Sequence, residues 1–240
     1  MMRTLFFITA ALFFSACTKK EKPEGNVHIY GKVAGLKQGA IVIRNDENTK
    51  TLDSISISGD ESFESHFTLE TPQMLHIYLN RGVSNNIDNS LDLFAEPGDI
   101  RIETTLDRFY ADAKITGSKN HEKYTEFKKI NQRYTDQHLE LTKKRFEAFK
   151  NKTVFDEATA AAEVEKIETR RYLAAINFAL NNKDLDVAPF IALTEVGRAN
   201  LKLLDTVASA LPPKVRTAKY GKMLDEFIAM RKAAENQTEK

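Results

Sequence analysis

From Val27 to about Thr116 the apolar residues return at every second position, and from Ser118 onward they return at every third or fourth. In "FESHFTLE", Phe63, Phe67 and Leu69 fall on one side of an extended chain, and Glu64, His66, Thr68 and Glu70 on the other. "LHIYLN" repeats the pattern with Leu75, Ile77 and Leu79. Successive side chains of a strand point to opposite faces, so this alternation predicts antiparallel strands with one apolar and one wet face. "VHIYGKVA", "AIVIRN", "TLDSISIS", "SLDLFAE" and "IRIET" read as further strands. "SGDES" reads as a hairpin turn, Thr71-Pro72 separates two more strands, and "EPGD" offers Pro97 and Gly98 in the order a type II turn prefers. Short strands at close spacing predict an antiparallel β-sandwich or open barrel over residues 27–117.

The change of period at Gly117 predicts a helical segment over residues 118–234. Ser118 is placed to cap a first helix carrying Tyr124, Phe127, Ile130, Tyr134 and Leu141 along one stripe. Thr153 and Asp156 resemble a capping box that opens a second helix, with Val164, Ile167, Ala174 and Phe178 on its apolar face. "APFIALTEVGRANLKLLDTVASAL" predicts two short helices divided near Gly197. Pro212-Pro213 opens a last helix holding Val215, Leu224 and Ile228, and the polar residues 235–240 form a disordered tail. Strands first and helices after is an α+β arrangement.

The alternation starts only at Val27. Before it, Arg3 precedes an apolar run from Leu5 to Phe14, followed by the small residues Ser15 and Ala16 and then Cys17. This order is that of a secretory signal over residues 1–16, and the run falls short of the ~20 residues that span a bilayer. "FFSAC" resembles the lipobox of bacterial lipoproteins, with Phe14 where leucine is most often found. The resemblance implies that Cys17 becomes a lipidated N-terminus, whose two or three acyl chains hold the protein to a membrane at about 0.8 kcal/mol per buried CH₂. Residues 17–26, "CTKKEKPEGN", then form a polar tether with no core to bury. The alternative is a secreted chain with a free thiol.

Composition narrows the chemistry. Lys+Arg 35 against Asp+Glu 34 leaves a formal charge of +1, so no global field favours nucleic acid, and no nucleic-acid partner is expected. Cys17 is the one cysteine, so the chain makes no internal disulfide and carries no CxxC. The five histidines, His28, His66, His76, His121 and His138, form no HExxH and no i, i+4 pair. His66 and His76 share a polar face on neighbouring predicted strands, where a hairpin could join them. Two ligands do not close a zinc site without a carboxylate such as Glu64, so surface histidines and no metal are expected. The serines form no GxSxG elbow, and Asp184, Asp186, Glu163 and Glu165 read as solvated loop and helix carboxylates. No catalytic residue, cofactor or enzyme activity is expected. A basic face, Lys128, Lys129, Arg133, Lys143, Lys144 and Arg145, is interleaved with Glu126, Asp136, Glu140 and Glu147 and reads as solvated rather than as an anion site.

Several landmarks together resemble a known pattern. "VHIYGKVAGLKQGAIVI", "LFAEPGDIRI", "ITGSKNHEKYTEF", "DLDVAPFIALTE" and "KYGKMLDEFI" are similar to the N-terminal domain of unknown function, with its helical extension, in envelope thiol-disulfide oxidoreductases of Bacteroides-type bacteria. The resemblance implies the α+β fold, a lipoprotein habit and a cell-envelope location, the outer membrane on that analogy, with periplasmic or surface facing left open. In those relatives a thioredoxin-like domain bearing CxxC follows. Since this sequence has no CxxC, no redox role carries over to any residue. The expectation is a lipid-anchored, non-enzymatic binding or scaffolding module with an envelope protein as partner. The alternative is an accessory that docks a separate thioredoxin-like oxidoreductase.

Overall fold

The computed structural model describes residues 24–81, 87–197 and 201–238. The signal-like residues 1–16, Cys17 and the tether up to residue 23 lie outside the described residues. Eight strands come first among those described: β1 (Val27–Ala34), β2 (Gln38–Asn45), β3 (Thr51–Ser58), β4 (Ser62–Phe67), β5 (Gln73–Asn80), β6 (Ser90–Ala95), β7 (Gly98–Thr105) and β8 (Lys114–Thr116). They form two four-stranded sheets, ordered β4-β1-β7-β8 and β3-β2-β5-β6. The expected sandwich is present, with one departure from all-antiparallel pairing: β1 and β7 run parallel, Val27 opposite Gly98 and Ala34 opposite Thr105. A parallel pair needs a long crossover, and here the other sheet supplies it.

The chain changes sheet between β3 and β4 and again between β4 and β5. "SGDES" is therefore a corner between sheets rather than a hairpin. The inward residues of both sheets close one core, including Val27, Ile29, Ile41, Ile43, Leu75, Ile77, Leu93, Ile100 and Ile102. Gly31 on β1 lies opposite Ile102 on β7, and a Cβ there would strike the Ile102 carbonyl.

The helices follow as α1 (Lys119–Lys150), α2 (Glu157–Asn181), α3 (Val187–Val196), α4 (Leu201–Ala210), α5 (Pro213–Arg216) and α6 (Lys219–Thr238). Ser118 caps α1 as expected, its hydroxyl accepting from the His121 backbone N–H. The cap of α2 is Asp156, which accepts from the Thr159 N–H, and Thr153 stays in the preceding turn. The helix after Pro212 is two pieces, with Val215 in α5 and Leu224 and Ile228 in α6. The ending is more ordered than expected, since α6 runs through residues 235–238.

The helical layer packs on the outer face of the second sheet. There the alternation breaks: Met74 and Leu75 are both buried, as are Leu93, Phe94 and Ala95. A strand covered on both faces reads as a continuous apolar run. Met74 and Phe94 belong to the helical core, with Ile176, Ile191, Leu204 and Tyr220. The order is thus first sheet, second sheet, helices, and the outer face of the first sheet meets solvent.

Candidate functional site

The outer face of the first sheet carries rows of polar residues that register places side by side. His28 lies opposite His66 on β4 and opposite Asp99 on β7, and Tyr30 lies between Glu64 and Arg101. Directly opposed residues on adjacent strands hold their Cβ atoms about 5 Å apart, close enough for side chains to interact. The His28 and His66 rings stack with centroids 4.1 Å apart and planes 6° from parallel. Tyr30 stacks on His28 at 4.9 Å.

Carboxylates hold the two imidazoles. His28 Nδ1–H donates to Asp99 Oδ1 at 2.7 Å, and His66 Nε2–H donates to Glu64 Oε1 at 2.9 Å. The bond from His66 holds the Glu64 carboxyl below the usual carboxylate range. His28 Nε2 is 3.0 Å from the same Glu64 oxygen. Nε2 is shielded from solvent, and its approach to Glu64 lies off the direction of a well-formed hydrogen bond. Beside the cluster, a shallow depression of about 550 Å³ is lined by Tyr30, Lys32, Phe63, Glu64, Arg101 and Glu103.

The other histidines sit elsewhere. The sheet change at Thr71-Pro72 puts His76 in the second sheet, so the expected meeting of His66 and His76 does not occur. His76 is satisfied at both nitrogens, by Asp92 at 2.8 Å and the Asp46 carbonyl at 3.1 Å. His138 pairs with Glu168 at 2.7 Å. His121 is a correction to the expectation of surface histidines: it is buried, and burial pushes its imidazole down to about 4.

Residues 27–124 match the family described as Domain of unknown function (DUF4369). No curated protein and no solved structure matches the chain. The DUF4369 region takes in every described strand and the first turns of α1, and with them the whole His28 cluster.

The carboxylates expected to be solvated divide. Asp184 is exposed, Glu165 is exposed, and Glu163 pairs with Arg170 at 2.9 Å. Asp186 is instead buried at the start of α3, with Oδ1 unpartnered, and burial raises its carboxyl to about 6. The basic face is mixed. Lys128 lies 4.8 Å over the Tyr124 ring and is half-buried, Arg145 pairs with Glu157 at 2.9 Å, and Lys143 and Lys144 stand in solvent.

Those last cations belong to a two-helix arm. No residue from Lys128 to Lys166 is buried; Ile130 still packs on the helical core and Asn131 still bonds Glu195 of α3, and beyond them α1 and α2 meet through His138–Glu168 and Arg145–Glu157. At 1.5 Å per residue, the stretch of α1 beyond residue 138 projects roughly 20 Å. Toward the turn the arm exposes Leu139 at 65%, Phe146 at 66%, Phe149 at 84% and Val154 at 99%. No helix among the described residues is long and apolar enough to cross a membrane.

Proposed function

We propose that this is a lipid-anchored cell-envelope protein that acts as a binding or scaffolding module, meeting an envelope protein partner through the end of the α1–α2 arm. The observation that carries the reading is the arm itself. Phe146 and Phe149, three apart, share one helix face, and Val154 stands in the turn beyond them. Single exposed apolar residues are ordinary, but a group of them at the end of a projecting element marks a contact surface. The lipobox-like "FFSAC" and the polar tether support attachment through Cys17.

A second reading rests on the resemblance to envelope thiol-disulfide oxidoreductases, in which the partner is a separate thioredoxin-like protein. "DLDVAPFIALTE" and "KYGKMLDEFI" lie in and before α3 and α6, where Ala188, Ile191, Tyr220 and Leu224 are buried. These phrases therefore support a shared architecture, and the arm remains the surface open to either partner.

Two measurements test this. Cys17→Ala should move the protein from the membrane to the soluble fraction, and a variant that stays membrane-bound removes the anchor from the proposal. A photo-crosslinker at position 150, at the end of the arm, should capture one defined envelope protein, and Phe146→Ser with Phe149→Ser should abolish the capture. Capture of a thioredoxin-like protein selects the second reading. Equal capture from position 37, on the sandwich, would overturn the arm as the contact.

A further inference from the structure

We infer that His28, Glu64 and His66 form a binding site for a divalent transition-metal ion of the zinc class, with Asp99 positioning His28. Among the described residues, this trio is the group whose donor atoms all lie within 4.8 Å of one another. The proposal stands apart from the arm, which lies on other elements.

The electrostatics of the cluster favour a cation. Asp99 accepts from His28 Nδ1, which leaves Nε2 as the nitrogen turned toward Glu64. Nε2 lies 3.0 Å from a Glu64 carboxylate oxygen that His66 Nε2 also approaches at 2.9 Å, so three donor atoms converge on one small volume. A divalent ion placed among the three donors is attracted by each of them. The nearby cations do not fill that role: Lys32 pairs with Glu61 at 3.0 Å and Arg101 with Glu103 at 2.5 Å.

The coordination chemistry agrees. Imidazole nitrogens and a carboxylate oxygen are a zinc donor set, at 2.0–2.2 Å from the ion, and three protein ligands leave room for water. A metal-bound histidine characteristically donates its other N–H to a carboxylate, which fixes the ring and its tautomer. Asp99 already makes that bond. Each bound imidazole must have its lone pair aimed at the ion, so the stacked rings tilt toward each other about χ1 and χ2. His66 Nε2 must be unprotonated to bind, its proton moving to Nδ1 or to solvent, so its bond to Glu64 is exchanged for a bond to the metal.

The test uses tag-free full-length protein in the Cys17→Ala background, so that no thiol competes, and Zn²⁺ as the probe. Calorimetric titration should show one ion per chain with micromolar affinity, and Co²⁺ should give the visible absorption of a four-coordinate site. His28→Ala, His66→Ala and Glu64→Gln should each weaken binding at least about tenfold, in line with the 10–100-fold losses seen on disturbing a metal's surroundings. Asp99→Asn should keep the stoichiometry but weaken binding about tenfold, with partial rescue by Asp99→Glu and no change in metal-free unfolding. His76→Ala should bind normally. Metal-free circular dichroism of each variant confirms that it folds. Absence of saturable uptake, uptake indifferent to His28→Ala and His66→Ala, or uptake lost with His76→Ala would each overturn the site.

Discussion

His121 and Asp186 are both buried near the seam between the sandwich and the helices, and burial acts on them with opposite sign. For His121 the charged form is disfavoured, so its value falls from 6.5 to about 4. The unfolded chain then binds more protons between those limits, and stability is full above about pH 6.5 and lost as pH falls toward 4. For Asp186 the charged form is again disfavoured, so its value rises from 3.8 to about 6. Here the folded chain holds the extra proton, and the contribution is full below about pH 3.8 and lost as pH rises through 6. Each shift corresponds to about 3 kcal/mol at most, at 1.36 kcal/mol per unit. The two slopes overlap and oppose each other. Asp186→Asn should therefore stabilise the protein at pH 7 by up to about 3 kcal/mol, with the gain gone by about pH 4, and should lay bare a fall in stability on acidification that His121 produces. Urea unfolding at pH 7.5 and 4.5 measures both, and an unchanged stability at pH 7.5 would contradict the burial of an ionised Asp186. Neither position is legible in the sequence. Asp186 sits in the polar stretch "NNKDLD" and His121 beside Lys119 and Lys123, surroundings that look solvated until α3 and β6 close over them.

At the scale of elements, periodicity predicts type better than it predicts burial. Every strand named from alternation is present, because alternation is imposed by the pleat whichever sheet a strand joins. What alternation does not carry is pairing, so the sheet change at Pro72, the parallel β1–β7 ladder and the meeting of His28 with His66 stay hidden. In the helices the stripe of Tyr134, Leu141 and Val164 has the right spacing, yet none of the three is buried. The 3.6-residue period is satisfied by the facing helix of the arm alone, and two helices side by side cannot enclose a core. The cross-arm bonds are polar, His138 to Glu168 and Arg145 to Glu157. Exposed pairs of this kind contribute about 0–1 kcal/mol each. Joining residue 138 to residue 165 by a short glycine-rich turn should therefore leave the thermal midpoint of the remaining body within a few degrees. A large fall in that midpoint would mean that the arm is part of the cooperative core.

For the whole molecule, the sequence reads as a β region and a helical region, and the seam between them is where that division misleads. Tyr220 of α6 lies among Phe94 and Phe190, with ring centroids at 5.7 and 4.9 Å. Its hydroxyl donates to Asp46 Oδ2 at 2.7 Å and accepts from the Met74 backbone N–H at 2.8 Å. Lys219 adds an ion pair to Glu47 at 2.7 Å, and at the other end of the seam Ser118 Oγ donates to the Phe94 carbonyl at 2.6 Å. Asn120 ties Glu96 to the start of α3, its Oδ1 accepting from the Val187 N–H at 2.9 Å. Groups on both sides are desolvated only because the other side is present, so neither part keeps its hydrogen bonds when the other unfolds. The sandwich and the helical body should accordingly melt in one transition, followed equally by β-sheet and helix signals in circular dichroism. Tyr220→Phe keeps the ring but strands the Met74 N–H and removes a donor from Asp46, at a cost of about 1–3 kcal/mol. That loss should appear as a shift of the single transition rather than as separate melting of the helices. Two resolved transitions in the wild type, or a Tyr220→Phe variant as stable as the parent, would show that the seam is contact without coupling.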